Sequence, residues 1–244
     1  MSGRYFGPRR APPGARQSAA YKAKIARRAK GRRIFRSGFD RTGGYYGRYR
    51  GVAVGEMKFH DVDVDDALIS AGGTIQNSGT ICVIPQGTTE ITRIGRKAVI
   101  RSINWRFQVY LASQSNVANA IETARIILYK DKQCNGTTAS VTDILETADF
   151  QSFRNLANSG RFTILLDKII SLHSQGGAGN GTTDATTPVI RNLSYYKKCN
   201  IPIEYSSTTG AISEIKSNNL GILLISENGL ATFGSKIRLR FTDG

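Results

Sequence analysis

The residues of this chain best suited to chemistry are cations, and they are gathered at one end. Fifteen of the 34 Lys and Arg residues fall within the first 50 positions, where Asp40 is the only acid. They are Arg4, Arg9, Arg10, Arg16, Lys22, Lys24, Arg27, Arg28, Lys30, Arg32, Arg33, Arg36, Arg41, Arg48 and Arg50. The other 194 residues carry 19 bases against 17 acids, so nearly all of the net charge of +16 belongs to this arm. A Lys or Arg that neutralises a phosphate releases a condensed counterion, and that release drives binding to a polyanion whatever its sequence. Aromatic residues are interleaved with the cations. Tyr21, Phe35, Tyr45 and Tyr46 offer flat faces on which unpaired bases can stack, worth about 1–3 kcal/mol per base. A duplex keeps its bases stacked internally, so the arm favours single strands. For residues 35–49, docking onto the rest of the chain as an ordered strap is an equally open reading.

Branched aliphatic residues in the arm are few, chiefly Ile25 and Ile34, so it cannot bury enough apolar surface to fold alone and is expected to be disordered until bound. Residues 18–33 mix alanines with closely spaced cations, a composition of high helix propensity whose like charges repel in water. Phosphate neutralisation removes that repulsion. Lys22, Lys24, Arg27, Arg28, Lys30, Arg32 and Arg33 also read as a nuclear-localisation signal, a pattern that any nucleic-acid-binding arm shares.

Other chemistry has less to work with. The two histidines, His60 and His173, stand in no order with Ser, Cys or Asp that nominates a nucleophile and its base, and no Gly-rich loop ends in Gly-Lys-Ser/Thr. No catalysis and no cofactor are expected. Asp61, Asp63 and Asp65 supply oxygen ligands suited to a hard cation such as calcium between subunits; a solvated acidic turn, or a partner for a neighbour's Arg residues, is the competing reading. Lys236, Arg238 and Arg240 share the polar face of the last strand, where they either touch nucleic acid or guard an edge strand against unwanted pairing. Arg93, Arg96 and Lys97 admit the same two readings. Cys82, Cys134 and Cys199 are odd in number and lack metal-like spacing, which suits a reducing compartment. No apolar run approaches the roughly 18–20 residues of a membrane span, and charges stand where a signal peptide needs an apolar segment, so a soluble, non-secreted chain is expected.

The elements that must position these groups are strands. Beyond residue 50 the hydrophobic period is close to two: in 99–111 the odd positions run Val99, Arg101, Ile103, Trp105, Phe107, Val109 and Leu111. Similar runs occupy 56–64, 81–84, 124–130, 162–172, 189–205, 220–226 and 237–241, separated by turn residues such as Gly72-Gly73 and Asn77-Ser78-Gly79. A short helix is expected within 141–149, and one strand has no clear place between Tyr205 and Asn219. The chain is therefore read as all-β: a single eight-stranded antiparallel jelly roll, a β-sandwich over 51–244, preceded by the basic arm 1–50.

Several segments, in order, resemble the coat proteins of small circular single-stranded DNA viruses of the geminivirus-like group. They are Ile84-Pro85-Gln86-Gly87, Arg93-Ile94-Gly95-Arg96-Lys97, Ile100-Arg101-Ser102-Ile103-Asn104-Trp105-Arg106, Arg125-Ile126-Ile127-Leu128-Tyr129-Lys130-Asp131-Lys132-Gln133 with Asn135-Gly136, Arg161-Phe162 with Leu166-Asp167-Lys168, and Lys236-Ile237-Arg238-Leu239-Arg240-Phe241. The resemblance implies a jelly roll, about 60 identical copies closing into a small icosahedral shell, and arms turned inward onto a single-stranded DNA genome. It also implies a host nuclear import receptor, with the protein in the host nucleus during assembly and in the virion afterwards. Physics alone leaves DNA and RNA equivalent. A cellular nucleic-acid-binding protein with a basic tail, of ribosomal or chromatin type, and a lectin-like or carbohydrate-active sandwich enzyme are the competing readings.

Overall fold

The computed structural model describes residues 56–111, 121–134, 136–173 and 190–244. Nine strands form among them: β1 Lys58–Leu68, β2 Thr74–Ile75, β3 Lys97–Leu111, β4 Ile121–Asp131, β5 Phe162–His173, β6 Ile190–Tyr205, β7 Ile215–Ser217, β8 Asn219–Ser226 and β9 Ala231–Asp243. They pair antiparallel into a five-stranded sheet of order β1-β9-β3-β6-β7 and a four-stranded sheet of order β2-β8-β4-β5. With the short β7 set aside, eight strands are divided between two sheets in jelly-roll order, and the chain crosses repeatedly from one sheet to the other.

Alternation builds the core between the sheets. Ile103, Trp105, Phe107, Val109 and Leu111 of β3 meet Ile222 and Leu224 of β8 and Ile237, Leu239 and Phe241 of β9 in one buried cluster. Each such side chain contributes about 1.5–3 kcal/mol when fully buried. The phase of β3 is not uniform, however. The register slips between Ile100 and Ser102, making Arg101 the extra residue; before it the buried positions are Ala98 and Ile100, and after it they are Ser102 and the odd ones from Ile103 onward. The expectation that Val99 and Arg101 share the buried face is corrected by this bulge, which turns Arg101 to solvent. A second slip at Leu165 divides β5: Ile170 and Leu172 enter the core between the sheets, while Phe162 and Ile164 face the other side.

That other side explains why β8 is buried along its whole length. Residues 136–161 cross the outer surface of the four-stranded sheet and bury Ile144 and Leu145 against Ile127, Tyr129, Leu223 and Ile225. Strands covered on both faces read as continuous apolar runs. The one-turn helix α1, Val141–Ile144, starts with a capping box: Asp143 N donates to Ser140 Oγ (3.1 Å) and Ser140 N to Asp143 Oδ2 (2.8 Å). It ends well short of residue 149 because Leu145 turns extended, which lets both Ile144 and Leu145 face the sheet. Ile81, Cys82 and Ile84 are buried and Val83 is exposed, yet residues 81–84 form no strand. The strand sought between Tyr205 and Asn219 is β7, which pairs with β6 at the sheet edge.

Buried thiols are chemically silent in this setting. Cys82 lies in the core, and burial pushes its pKa up to about 12; half-buried Cys134 is pushed up to about 11 by the same cause. Thiolate is the reactive form. At pH 8 the folded chain is expected to leave Cys82 unmodified by a thiol-reactive disulfide reagent, with labelling appearing only as denaturant unfolds the domain. Rapid labelling of Cys82 in buffer would contradict this core.

Candidate nucleic-acid interface

The fifteen cations of the arm, from Arg4 to Arg50, and the stacking candidates Tyr21, Phe35, Tyr45 and Tyr46 lie outside the described residues. The three basic residues of the last strand are described, and the sheet order changes their meaning. β9 runs between β1 and β3, so Lys236, Arg238 and Arg240 do not guard an edge. They stand on the solvent face of the five-stranded sheet, alternating with buried Ile237, Leu239 and Phe241.

Register sets what each one meets. Arg238 lies opposite Asp61 and donates to it twice, Nε to Oδ1 at 2.7 Å and Nη2 to Oδ2 at 2.6 Å, with its guanidinium 4.9 Å from the centre of the Phe59 ring. Lys236 lies opposite Asp63, with Nζ 3.1 Å from Oδ2. The hydrogen bond from Arg238 holds the Asp61 carboxyl below its ordinary value, while burial holds His60 below its own against the pull of Asp61. Two of the three proposed calcium ligands are thus engaged by cations of the same chain, and no group of three or more His, Cys, Asp or Glu fit for a metal occurs among the described residues. Asp65 is exposed beside a register slip between Val64 and Ala67.

The same registers bring in residues that sequence separation conceals. Arg106 lies between Lys236 of β9 and Ser194 of β6, and Asn104 between Arg238 and Tyr196. Ser102 has Arg240 on one side and Lys198 on the other. Arg106, Lys198 and Arg240 are exposed, as is Tyr196, and no ion pair engages these three cations among the described residues. A shallow depression of about 430 Å³ is lined by Asp61, Asp63, Asn104, Arg106, Lys236, Ile237 and Arg238.

Arg93 belongs elsewhere. It is wholly buried, its Nε donating to the Ile84 carbonyl at 3.0 Å and its two terminal nitrogens to the carbonyls of Gly95 and Ser207. A nucleic-acid contact from Arg93 is excluded by this burial, whereas Arg96 and Lys97 are exposed.

The family model described as satellite tobacco necrosis virus coat protein matches residues 63–244, well over half of the chain. A capsid protein of Satellite tobacco necrosis virus 1 is 28% identical over 114 residues, covering 45% of this chain and 56% of that protein. The chain therefore spans little more than half the length of that curated relative. A solved chain from Desmodium yellow mottle tymovirus aligns over 76% of this chain and 86% of its own at 10% identity and a TM-score of 0.31. The family model and the capsid relative support the viral coat protein implied by the resemblance but not the single-stranded DNA virus group. The reason lies in what carried it: segments such as 100–106 and 125–131 are core strands, and their apolar patterns serve any jelly roll. Eight strands in jelly-roll order, with a family match extending from β1 to the last residue, place this chain in the satellite tobacco necrosis virus coat protein family.

Proposed function

We propose that copies of this chain close into a small icosahedral shell and that residues 1–50 bind and condense the enclosed single-stranded nucleic acid without reading its sequence. Membership of a viral coat protein family accounts for the virion and for assembly from identical subunits. The observation that carries the arm's role is charge segregation: fifteen cations against one acid in the first 50 residues, beside 194 residues that are almost neutral. The namesake of the family is an RNA virus, so RNA replaces DNA as the cargo we infer. The cluster from Lys22 to Arg33 then serves the packaged strand. Nuclear import through it, read from the basic cluster itself and implied by the DNA resemblance, is tested by a fluorescent reporter fused to residues 1–50, and a reporter that stays cytoplasmic removes it.

The arm is tested on the intact chain and on a chain lacking residues 1–50, each mixed with single-stranded RNA and examined by negative-stain microscopy, nuclease protection and binding against salt. If about ten of the arm's cations each meet a phosphate, log K falls by about 7 for each decade of salt. The truncated chain is expected to lose most of that slope and its protected RNA. Equal protection by the two chains, or a slope near zero for the intact one, defeats the proposal.

A further inference from the structure

The segment that covers the four-stranded sheet spends its inward residues on the core and holds other apolar groups out in water. Phe153 and Leu156, 80% and 73% exposed, are the two most exposed large apolar side chains among the described residues. Their backbone is fixed. Glu146 N donates to the Phe153 carbonyl and Asn155 N to the Ile144 carbonyl, both at 2.9 Å, while Thr147 N donates to Ser152 Oγ at 2.9 Å. An apolar side chain held outward on an ordered loop loses little freedom when a partner covers it. The surroundings are acidic: Glu146 and Asp149 are exposed, and Arg154, the single base over residues 136–160, turns its guanidinium to the chain's own Ser159 and Phe162 carbonyls.

A second ordered patch has the complementary make-up. The turn at 90–94 is tied to the corner where β1 begins and β9 ends: Phe59 N donates to the Glu90 carbonyl at 3.1 Å, Lys58 Nζ to the Thr92 carbonyl at 2.9 Å, and Ile94 N to Asp243 Oδ1 at 2.9 Å. Ile91, Ile94 and Met57 are about half exposed there, at 47%, 58% and 50%. Exposed Arg96 and Lys97 follow directly, and no ion pair engages either among the described residues. No hydrogen bond joins residues 90–97 to residues 141–160 within the described chain. One patch is apolar with acids and the other apolar with bases. A two-fold contact sets the same patch on both sides and would oppose acid to acid, whereas a head-to-tail contact joins unlike patches and repeats around a closed ring.

We propose that the acidic segment of one copy docks head-to-tail on the basic corner of the next, Phe153 and Leu156 packing against Ile91, Ile94 and Met57 while Glu146 and Asp149 face Arg96 and Lys97. Apolar side chains form the dry centre of such a contact, and the charges at its rim select the partner patch and its orientation. The inference rests on the reading that copies of this chain close into a shell, and it names a contact through which they do so.

The test is charge exchange in the full chain, with assembly on single-stranded RNA followed by sedimentation velocity and negative-stain microscopy. One variant carries Glu146→Lys with Asp149→Lys, a second carries Arg96→Glu with Lys97→Glu, and a third carries all four. A fourth adds Lys168→Glu and Arg191→Glu, both exposed, to the first, which restores net charge without restoring the pairing. Thermal unfolding by circular dichroism checks each fold. Each two-residue variant is expected to raise the concentration needed for assembly at least about tenfold, and the four-residue exchange to return it to within about threefold of the intact chain. The net-charge control is expected to stay impaired. Phe153→Ser with Leu156→Ser is expected to impair assembly without lowering the unfolding temperature, since neither side chain is buried in the free subunit. If the intact chain forms no particles, the shell reading fails and this contact with it. If the intact chain and all variants assemble alike, the contact is overturned and the shell reading stands. Rescue by the net-charge control as complete as by the exchange overturns the contact too. So does a defect confined to the acidic-segment variant and unrelieved by the exchange, which gives that segment another occupant, such as the chain's own cationic arm.

Discussion

Replacing Arg93 with Met is expected to destabilise the folded domain by about 3–5 kcal/mol, because three carbonyls lose their donor at about 1–3 kcal/mol each. The side chain has no solvent exposure, and its guanidinium is satisfied by three backbone carbonyls, those of Ile84, Gly95 and Ser207, with the Tyr205 ring 4.1 Å away. Met fills much of the volume but donates nothing, and each carbonyl left unpaired in the interior costs about 1–3 kcal/mol. The damage is concentrated where it matters for folding. Residues 81–96 form no ladder of their own, and they are held by Arg93, by the hydroxyl of Tyr205 donating to the Cys82 carbonyl at 2.8 Å, and by buried Lys58 donating to the Thr92 carbonyl at 2.9 Å. Gly210 closes the same region with φ of +79°, and a Cβ there would come within 2.6 Å of the Ile84 carbonyl oxygen. Lys at position 93 is not expected to rescue, because an ammonium cannot span three carbonyls set around a planar fork. Urea unfolding followed by the fluorescence of Trp105, the only tryptophan, measures the loss. A change below about 0.5 kcal/mol, within the usual range for surface substitutions, would show that Arg93 does not hold this loop.

Arg93 also marks where sequence reading reaches its limit. In the sequence it sits in a run with Arg96 and Lys97, three cations of like type, and nothing local distinguishes the buried one. Burial was decided by Ile84 and Ser207, the latter 114 residues away. The strands were legible because period-two alternation is a local property, and β9 is seen in Ile237, Leu239 and Phe241 alone. What alternation cannot show is a bulge: Arg101 in β3 and Leu165 in β5 each reverse the phase, so residues that read as one face belong to two. Residues 81–84 read as a strand because they are apolar, yet their backbone groups find partners such as Tyr205 and Arg93 instead of a neighbouring ladder. The interface divides in the same way. The arm, outside the described residues, is read from composition alone, and the exposed face of Lys236, Arg238 and Arg240 was legible from their strand. Their engagement by Asp61 and Asp63, and the company of Arg106, Lys198 and Tyr196, depend on registers between distant strands. The position of β9 inside the sheet, which removes the edge-guarding role, is likewise a property of topology.

Trp105→Ala is expected to cost a further large fraction of the stability, about 3–5 kcal/mol as for other aromatic-to-Ala changes in cores. Trp105 has no solvent exposure and packs against Phe107 with ring centres 4.5 Å apart and against Phe233 at 6.2 Å, joining β3 to β9 at the middle of the core. Truncation leaves a cavity among side chains that are fixed by two strands and cannot collapse into it. The indole also carries a diagnostic feature: its Nε1 is buried with no acceptor among the described residues. An unpaired buried donor is itself a cost. Trp105→Phe, which removes that donor along with part of the ring, is therefore expected to be much milder, below about 1.5 kcal/mol, as for shape-tolerant apolar exchanges. Circular dichroism against urea compares the two variants, since both lack the tryptophan. Equal losses for Phe and Ala would mean that the indole N–H has a partner and that volume is not what Trp105 contributes. A mild Phe and a severe Ala variant would place the domain's stability in the packing between its sheets. In that case charges on the solvent faces of the two sheets, such as Arg106, Lys198 and Arg240, can change without loss of the fold.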